Sequence, residues 1–236
     1  MPENGCPLPD RLKRCDDHLV DFRWGQPLDL SDGGSRRKLP ATREDAGPWL
    51  ILVLESPHVR EFEGSRDLWG PVRGASGVGI RIHLGEILAK APRAVQDRAR
   101  ECRGLVLMNA VQHQCSEGEF PLTTKSGKVA TTPKGEARMG LDRRLRDRNF
   151  LAMWKDHGGR RAFQERLARI HRPGDVLINA CTIGDEGLRD LVAAALDPAR
   201  FPVDLDCYHP SCWWNPGRRM MPESGPRPVP SPGEHR

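Results

Sequence analysis

No apolar run in this chain of 236 residues approaches the length of a membrane span. The first ten residues also lack the basic and apolar regions that together make a secretory signal. These two absences argue against a membrane protein and against a secreted protein. We therefore expect a soluble, cytoplasmic chain with no membrane partner.

The cysteines include no CxxC pair, which is the spacing that most structural zinc sites use. We expect reduced thiols in the core or in loops, with no metal and no cofactor. An iron–sulfur cluster built from scattered cysteines stays open as an alternative, although such clusters favour closely spaced ligands. The seven cysteines are Cys6, Cys15, Cys102, Cys115, Cys181, Cys207 and Cys212.

A complete phosphate-binding loop is also absent, because residues 116–139 contain TTKSGK without the full GxxxxGK[ST] pattern. We interpret this stretch as a long basic loop whose Lys125, Lys128 and Lys134 are candidate contacts to a nucleic-acid backbone. Residues 141–171 are predicted to be helical and arginine-rich. Most of these arginines are expected to face solvent, and DNA contact by those of residues 143–148 is the less favoured alternative.

The chain is basic and rich in loop-forming residues. It carries a formal net charge of +5, with 21 prolines and 24 glycines. Its length suits one compact domain, and its charge favours a polyanionic partner without identifying it. We divide the chain into a peripheral N-terminal extension at residues 1–48, an α/β domain at residues 49–221 and a disordered tail at residues 222–236.

The domain is organised around residues 49–77, where an apolar run breaks at Glu55 and Pro57 and passes into a glycine-rich turn. Four apolar positions without alternation predict a strand buried on both faces. Short strands and helices alternate along the rest of the domain, which predicts an α/β fold: a three-layer sandwich around a central, mostly parallel four-stranded sheet. The predicted strands cover residues 51–54, 105–108, 176–179 and 203–205, and the predicted helices cover residues 80–90, 141–171 and 186–196.

Polar residues follow three of these strands. Glu55 follows the first strand, Asn109 the second and His209 the last. The carboxyl ends of parallel strands lie on one edge of the sheet, where ligands gather in open α/β folds. We therefore expect Glu55, Asn109 and His209 to converge, although an ordinary polar strand exit is the alternative explanation for Glu55.

The strand-end motifs LESPH with the following GPVRGASG, then LMNAV, then HPS resemble those of the uracil-DNA glycosylase superfamily in the family's order. The resemblance covers residues 50–219. It implies the sandwich fold of that family and a monofunctional DNA N-glycosylase that hydrolyses the N-glycosidic bond of a flipped uracil-like or modified base. Its partner would be double- or single-stranded DNA, bound by a monomer in DNA repair or in defence against foreign DNA.

The resemblance also implies a role for each matching residue. Glu55 would position or activate water, Asn109 would recognise the edge of the flipped base, and His209 would stabilise charge on the departing base. A carboxylate beside the sugar and a donor beside the base lower the barrier to this cleavage. The candidates for substrate binding are Ser56, Pro57, His58, Val72 and Gly74, and those for DNA binding are Ser211, Trp213, Trp214, Arg218 and Arg219.

Trp213 and Trp214 are candidates to wedge into the gap left by a flipped base, with ordinary surface or core packing as the alternative. Glu55 matches the branch of the family whose first motif is GEAPG. That branch has a phenylalanine where this chain has Val72, and it binds an iron–sulfur cluster whose cysteine pattern is broken here. These departures favour a modified base over plain uracil.

Two other functions fit the same sequence. A nucleic-acid-binding protein that kept the fold and lost catalysis would need the basic surface, but not Glu55 with His209. A nucleoside or nucleotide hydrolase would use the same edge of the sheet without the tryptophan wedge.

Overall fold

The computed structural model describes residues 14–31, 36–57, 59–62, 70–72, 75–115, 139–181 and 187–218. Of Val59, Arg60, Ala75, Arg218 and residues 139–145 only the backbone is described. None of the helices in these ranges combines the length and apolar character that a membrane crossing requires. The predicted tail, residues 116–138 of the basic loop and the candidates His58, Gly74 and Arg219 lie outside the described residues.

Six strands within the described ranges form one mixed sheet. They are β1 His18–Asp21, β2 Arg37–Lys38, β3 Trp49–Leu54, β4 Gly104–Asn109, β5 Val176–Asn179 and β6 Leu205–Asp206. The strand order is β2-β1-β4-β3-β5-β6, in which β4, β3, β5 and β6 are parallel. The α/β class and the parallel part of the sheet are confirmed, but a sheet of four strands is wrong, and the last strand lies slightly later than predicted.

The two additional strands come from the N-terminal segment. β1 pairs antiparallel with β4, and β2 pairs antiparallel with β1. Leu19 and Val20 pack into the two core layers on opposite faces of the sheet. Residues 1–48 are thus not peripheral throughout, because β1 covers an edge of β4 that would otherwise expose unpaired backbone groups.

Helices cover both faces of the sheet. They are α1 Ala75–Ala89, α2 Arg93–Glu101, α3 Met139–Lys155, α4 Gly159–Ile170 and α5 Leu188–Ala195. Apolar residues of α1 and α2 belong to one core cluster, and those of α3, α4 and α5 belong to the other, which makes a three-layer sandwich. The single helix predicted for residues 141–171 is wrong, because Gly158 adopts a left-handed φ of 70° that separates α3 from α4.

β3 shows why the apolar run of the sequence is unbroken. All six of its residues are buried. Ile51 and Val53 pack into the cluster beneath α3, α4 and α5, whereas Leu50 and Leu52 pack into the cluster beneath α1 and α2. A central strand with helices on both sides leaves no position for polar residues until its end.

A buried ionic network fastens the N-terminal segment to the amino edge of the sheet. The carboxylate of Asp175 accepts hydrogen bonds from Arg43 Nη1 at 2.6 Å, from the N–H of Trp49 at 2.7 Å and from the N–H of Arg172 at 2.8 Å. The side chains of Arg43 and Asp175 are 1% and 0% exposed. Asp175 thus ties the start of β3 and the loop before β5 to Arg43.

Asp175→Ala is expected to lower the free energy of unfolding by about 3 to 5 kcal/mol, because it leaves the buried guanidinium of Arg43 without its main counter-charge. Urea denaturation measures the change. Asp97→Ala is the control, since Asp97 pairs with Arg93 and Arg100 on the surface and such pairs contribute about 1 kcal/mol or less. Equal losses in the two variants would show that the network does not anchor the segment.

Candidate functional site

The carboxyl ends of β3 and β4 lie side by side. Leu54 is the register partner of Asn109. The pairing continues past the strands, since the N–H of Ala110 donates to the Leu54 carbonyl at 2.7 Å and the N–H of Val111 donates to the Glu55 carbonyl at 2.9 Å. The structure therefore brings Glu55 next to the segment that carries Asn109.

The Glu55 side chain is buried beside a fixed guanidinium. It is 3% exposed as a residue, and its Oε1 lies 3.2 Å from Arg146 Nε on α3. Arg146 Nη2 also lies 2.7 Å from the carboxylate of Asp147, which is fully buried. Ser56 Oγ is 3.4 Å from the same Glu55 oxygen. The guanidinium stabilises the ionised form of Glu55 and fixes one of its oxygens.

Sequence reasoning missed Arg146. Residues 143–148 contain four arginines, and no sequence pattern distinguishes Arg146 from Arg143, Arg144 or Arg148. Arg146 is an exception to the expectation that most of these arginines face solvent, because its side chain is only 18% exposed.

Asn109 supplies a buried amide without a partner. The residue is 1% exposed, and among the described residues neither its Oδ1 nor its Nδ2 finds a hydrogen-bond partner. Leaving a buried polar group unsatisfied costs about 1 to 3 kcal/mol, so this amide is a candidate contact for a ligand or for an ordered water. Its backbone is held firmly, because Arg166 Nη2 donates to the carbonyls of Asn109 at 2.8 Å and Ala110 at 3.0 Å. A fixed strand end thus presents one free donor and one free acceptor.

His209 lies on the same edge, three residues beyond β6. The N–H of Cys207 donates to the Asn179 carbonyl at 2.9 Å, which continues the pairing of β6 with β5. β5 separates β6 from β3, and at about 4.8 Å per strand the two strands are about 10 Å apart. The shared edge predicted from the sequence is therefore present, with Asn109 and Glu55 as neighbours and His209 beyond β5.

The imidazole of His209 is contacted by Ser211, which lies in the Pro210–Cys212 3-10 helix that follows. The N–H of Ser211 makes a long hydrogen bond of 3.4 Å to His209 Nδ1, and Ser211 Oγ lies 2.9 Å from the same atom. A backbone N–H can only donate, so this contact favours the tautomer in which Nδ1 accepts and Nε2 carries the proton. His209 is thereby prepared as a donor through Nε2, and Ser211, predicted as a phosphate contact, touches the histidine.

Two glycines of α1 let the surrounding turns approach closely. A Cβ atom at Gly79 would overlap the carbonyl oxygen of Pro210, and one at Gly77 would overlap the carbonyl oxygen of Val72. Only residues without a side chain permit these approaches. The loop of His209 and the turn of Val72 therefore both rest on the amino-terminal half of α1.

Val72 is held in a strained conformation. Its φ of 63° is the only positive value among non-glycine residues in the described ranges, and a β-branched residue pays about 1 to 3 kcal/mol there. Its N–H donates to buried Glu61 at 2.9 Å. Arg36 Nη2 donates to the Pro71 carbonyl at 2.7 Å, and Arg36 Nε donates to His18 Nδ1 at 2.7 Å. Burial and the neighbouring Arg36 lower the pKa of His18 to about 4, which keeps it neutral as an acceptor.

The two tryptophans after HPS have different environments. Trp213 is fully buried in the core beneath α1, and its Nε1 donates to the Tyr208 carbonyl at 2.6 Å, so the prediction of DNA contact is wrong for this residue. Trp214 is 53% exposed and lies edge-on to His83, with ring centroids 5.3 Å apart. Only Trp214 is placed to meet a partner.

The remaining site candidates lie near the same edge. Ser56 is half-buried and Pro57 is buried directly after Glu55. Arg218 closes the Pro216–Arg218 3-10 helix at the end of the described chain, and its side chain is outside the described residues.

The buried cysteines are chemically inert. Burial raises the pKa of their thiols, to about 12 for Cys102 and Cys207. A neutral thiol is a poor nucleophile and a poor metal ligand. No group of three or more His, Cys, Asp and Glu side chains in the described ranges is arranged to hold a metal ion. The other buried thiols with a raised pKa are those of Cys15, Cys115 and Cys181.

Comparison with protein-family models, with curated proteins and with solved structures finds no match to this chain. A function for the protein therefore has to be inferred from the residues at the carboxyl edge of its sheet.

Proposed function

We propose that the protein is a DNA glycosylase with a uracil-DNA glycosylase-like fold, which hydrolyses the bond between a flipped base and its sugar. The observation that carries this proposal is the buried amide of Asn109, which has no hydrogen-bond partner among the described residues and lies on the strand end next to the one that Glu55 follows. An amide offers one donor and one acceptor, which is the pattern needed to recognise the hydrogen-bonding edge of a base.

Cleavage leaves opposite charges on the base and on the sugar, and a different side chain stabilises each of them. As the N-glycosidic bond breaks, the base takes the bonding electron pair and the sugar becomes positive. The Glu55 carboxylate stabilises the sugar and orients a water whose oxygen bonds to the sugar carbon. The proton that this water loses passes to the carboxylate and from there to solvent, and the released base anion takes up a proton from solvent. The Nε2–H of His209 donates to the oxygen on which the base accumulates negative charge. Arg146 positions the Glu55 carboxylate.

The departure from the resembling family at Val72 favours a base larger than uracil. In the family that this sequence resembles, an aromatic residue occupies the position of Val72, and a valine side chain fills less space than an aromatic one. The strained φ of Val72 and its hydrogen bond to Glu61 fix this small residue in place. The proposed substrate class is therefore a modified base in DNA, in repair or in defence against foreign DNA.

Nucleic acid is a better substrate for this surface than a free nucleoside. Trp214 exposes about half of its surface next to the loop of His209, and an exposed indole can stack on a base that neighbours the flipped one. The net charge of +5 adds attraction to phosphates.

The test is an excision assay on oligonucleotides that contain uracil, hypoxanthine or bulky modified cytosines. Alkali cleaves the strand wherever a base has been removed, and the proposal predicts cleavage with at least one of these substrates. No cleavage together with salt-sensitive binding would favour a non-catalytic DNA-binding protein. Hydrolysis of the free nucleosides alone would favour a nucleoside hydrolase.

Trp214→Ala is expected to weaken DNA binding about tenfold, because stacking of one base on an aromatic side chain contributes about 1 to 3 kcal/mol. Fluorescence anisotropy at fixed salt measures the dissociation constant. Trp24→Ala is the matched control, because Trp24 packs against Arg100 and follows the end of β1 that pairs with the amino end of β4. Similar affinities for both variants and the wild type would remove Trp214 from the proposed DNA surface.

A further inference from the structure

A cavity of about 650 Å³ lies on the opposite side of the β4 strand end from α1, between α3 and α4. Its volume falls within the range of about 300 to 1,000 Å³ that is typical of small-molecule pockets. Ala110, Val111, Gln112 and His113 form one wall, and one face of α4 forms another. The cavity does not include Glu55 or His209, so it is separate from the site proposed above.

The charged side chains that line this cavity are mainly arginines. Arg14, Arg166 and Arg169 line it together with His113 and His157. Arg169 has no ion-pair partner in the part of the chain that the structure describes. Arg166 is 8% exposed, and its Nε has no hydrogen-bond partner in the described ranges, although its other nitrogens bind Asp17 and the β4 strand end.

One carboxylate lines the same cavity and is already neutralised. Glu165 accepts a hydrogen bond from Arg161 Nε at 2.8 Å. Asp17 pairs with Arg166, whereas Asp16 lies 3.8 Å from Arg14 and also pairs with Lys38. The remaining positive charge of the cavity therefore lies on Arg169 and in part on Arg14.

The amino end of α4 adds to this positive potential. Gly159, the first residue of α4, lines the cavity, and the preceding Gly158 provides no side-chain cap. The uncapped N–H groups of a helix start attract anions. Gly159, Ala162, Arg166 and Arg169 follow at intervals of three or four residues, so a single face of α4 presents both the helix start and the two arginines.

The rest of the lining is small and apolar. Val111, Met153, Ala162 and Ala168 offer no charge and leave room for a flat or compact organic group. A ligand that suits the whole cavity therefore combines a strongly negative end with an apolar body.

We propose that this cavity is a second binding site, which takes a nucleotide-sized phosphate monoester. Phosphate is favoured over a carboxylate because a monoester carries about 1.5 to 2 negative charges near neutral pH, which suits several arginines and a helix start. The phosphate belongs to a free nucleotide or to the 5′ end of a DNA strand. The inference goes beyond the proposed glycosylase and does not depend on it.

His113 supplies a spectroscopic signature for this site. Burial, together with the nearby Arg14, Arg166 and His157, lowers the pKa of His113 to about 4. A bound dianion favours the protonated imidazole and therefore raises this pKa. An NMR titration of the His113 ring in the full-length protein should thus show a higher pKa when the cavity is occupied.

Calorimetric titration of the full-length protein with deoxycytidine monophosphate, deoxycytidine and inorganic phosphate tests the site. The nucleotide is expected to bind more tightly than either of the others, because only the nucleotide uses both the cations and the apolar wall. Arg169→Gln is expected to weaken nucleotide binding about tenfold. Arg160→Gln is the control, since Arg160 is an exposed arginine of α4 outside the cavity lining, and it should bind as the wild type does.

Short oligonucleotides with a 5′-phosphate or a 5′-hydroxyl distinguish the two sources of the ligand. Binding of the free nucleotide alone identifies a small-molecule site, and a preference for the 5′-phosphorylated strand identifies a strand-end site. No binding of either phosphorylated probe, or equal affinity in Arg169→Gln and the wild type, would overturn the proposal. Glu55→Gln should still bind the nucleotide, so a failure of the glycosylase proposal leaves this result unchanged.

Discussion

Glu55→Gln is expected to lower the single-turnover rate of base excision by about a hundredfold or more. The carboxylate is the only group proposed to stabilise positive charge on the sugar, and removing one such electrostatic contact typically costs ~10² to 10³ in rate. Glutamine keeps the shape and one carbonyl oxygen, so the loss reports the missing charge. The variant is compared with the wild type under enzyme excess, where substrate binding does not limit the rate.

Glu101→Gln is the matched control for this variant. Glu101 is exposed at the end of α2, before the amino end of β4, and its replacement should leave excision unchanged. Arg146 keeps its contact with Asp147 in Glu55→Gln, so the variant is expected to fold, and thermal unfolding checks this. Excision by a folded Glu55→Gln protein at the rate of the control would remove Glu55 from the proposed mechanism.

His209→Ala is expected to reduce the same rate by ~10² to 10³, because the base then leaves without its hydrogen-bond donor. Affinity for uncleaved DNA should stay within a few-fold of wild type, since the histidine acts on charge that develops only as the bond breaks. Single-turnover kinetics and anisotropy separate these two effects. A large loss of affinity with an unchanged rate would assign His209 to DNA binding alone.

Ser211→Ala measures how much the hydroxyl contact to His209 contributes to the excision rate. It removes the hydroxyl contact to Nδ1 and keeps the backbone N–H that selects the tautomer. The expected loss of rate is about tenfold or less. If Ser211→Ala is as damaging as His209→Ala, the hydroxyl has a role of its own in the site.

The central strands could be predicted from the sequence because burial on two faces leaves unbroken apolar runs. β5 was predicted at its observed bounds, and β3 and β4 to within two residues. α2 was missed because its sequence is mostly charged, with Val95 and Ala99 as its buried residues. Pro92 ends α1, and it also stands directly before α2, where a proline favours a helix start.

The N-terminal strands could not be predicted, because their partners are distant in the sequence. β1 has only four residues, of which Leu19 and Val20 are apolar, and its place is set by pairing with Leu105, Val106 and Leu107 of β4. So short a segment has no clear periodicity. Non-local pairing therefore decided its structure.

The candidate site was partly predictable for the same reason as the sheet. Parallel strands put Glu55, Asn109 and the His209 loop on one edge whatever their separation in sequence. The ion pair of Glu55 with Arg146 depends on the rotation of α3, and the burial of Trp213 but not Trp214 depends on the turn after Pro210. Neither leaves a pattern in the sequence, because neighbouring arginines and neighbouring tryptophans look alike.

Mass spectrometry of the small molecules released from DNA tests the central claim most directly. DNA that carries a panel of modified bases is incubated with the wild-type protein and with Glu55→Gln, and the low-mass fraction is analysed. The proposal predicts an intact free base and an abasic strand with the wild type, with release reduced about a hundredfold or more in Glu55→Gln. No free base from any substrate, or equal release by the two proteins, would contradict it.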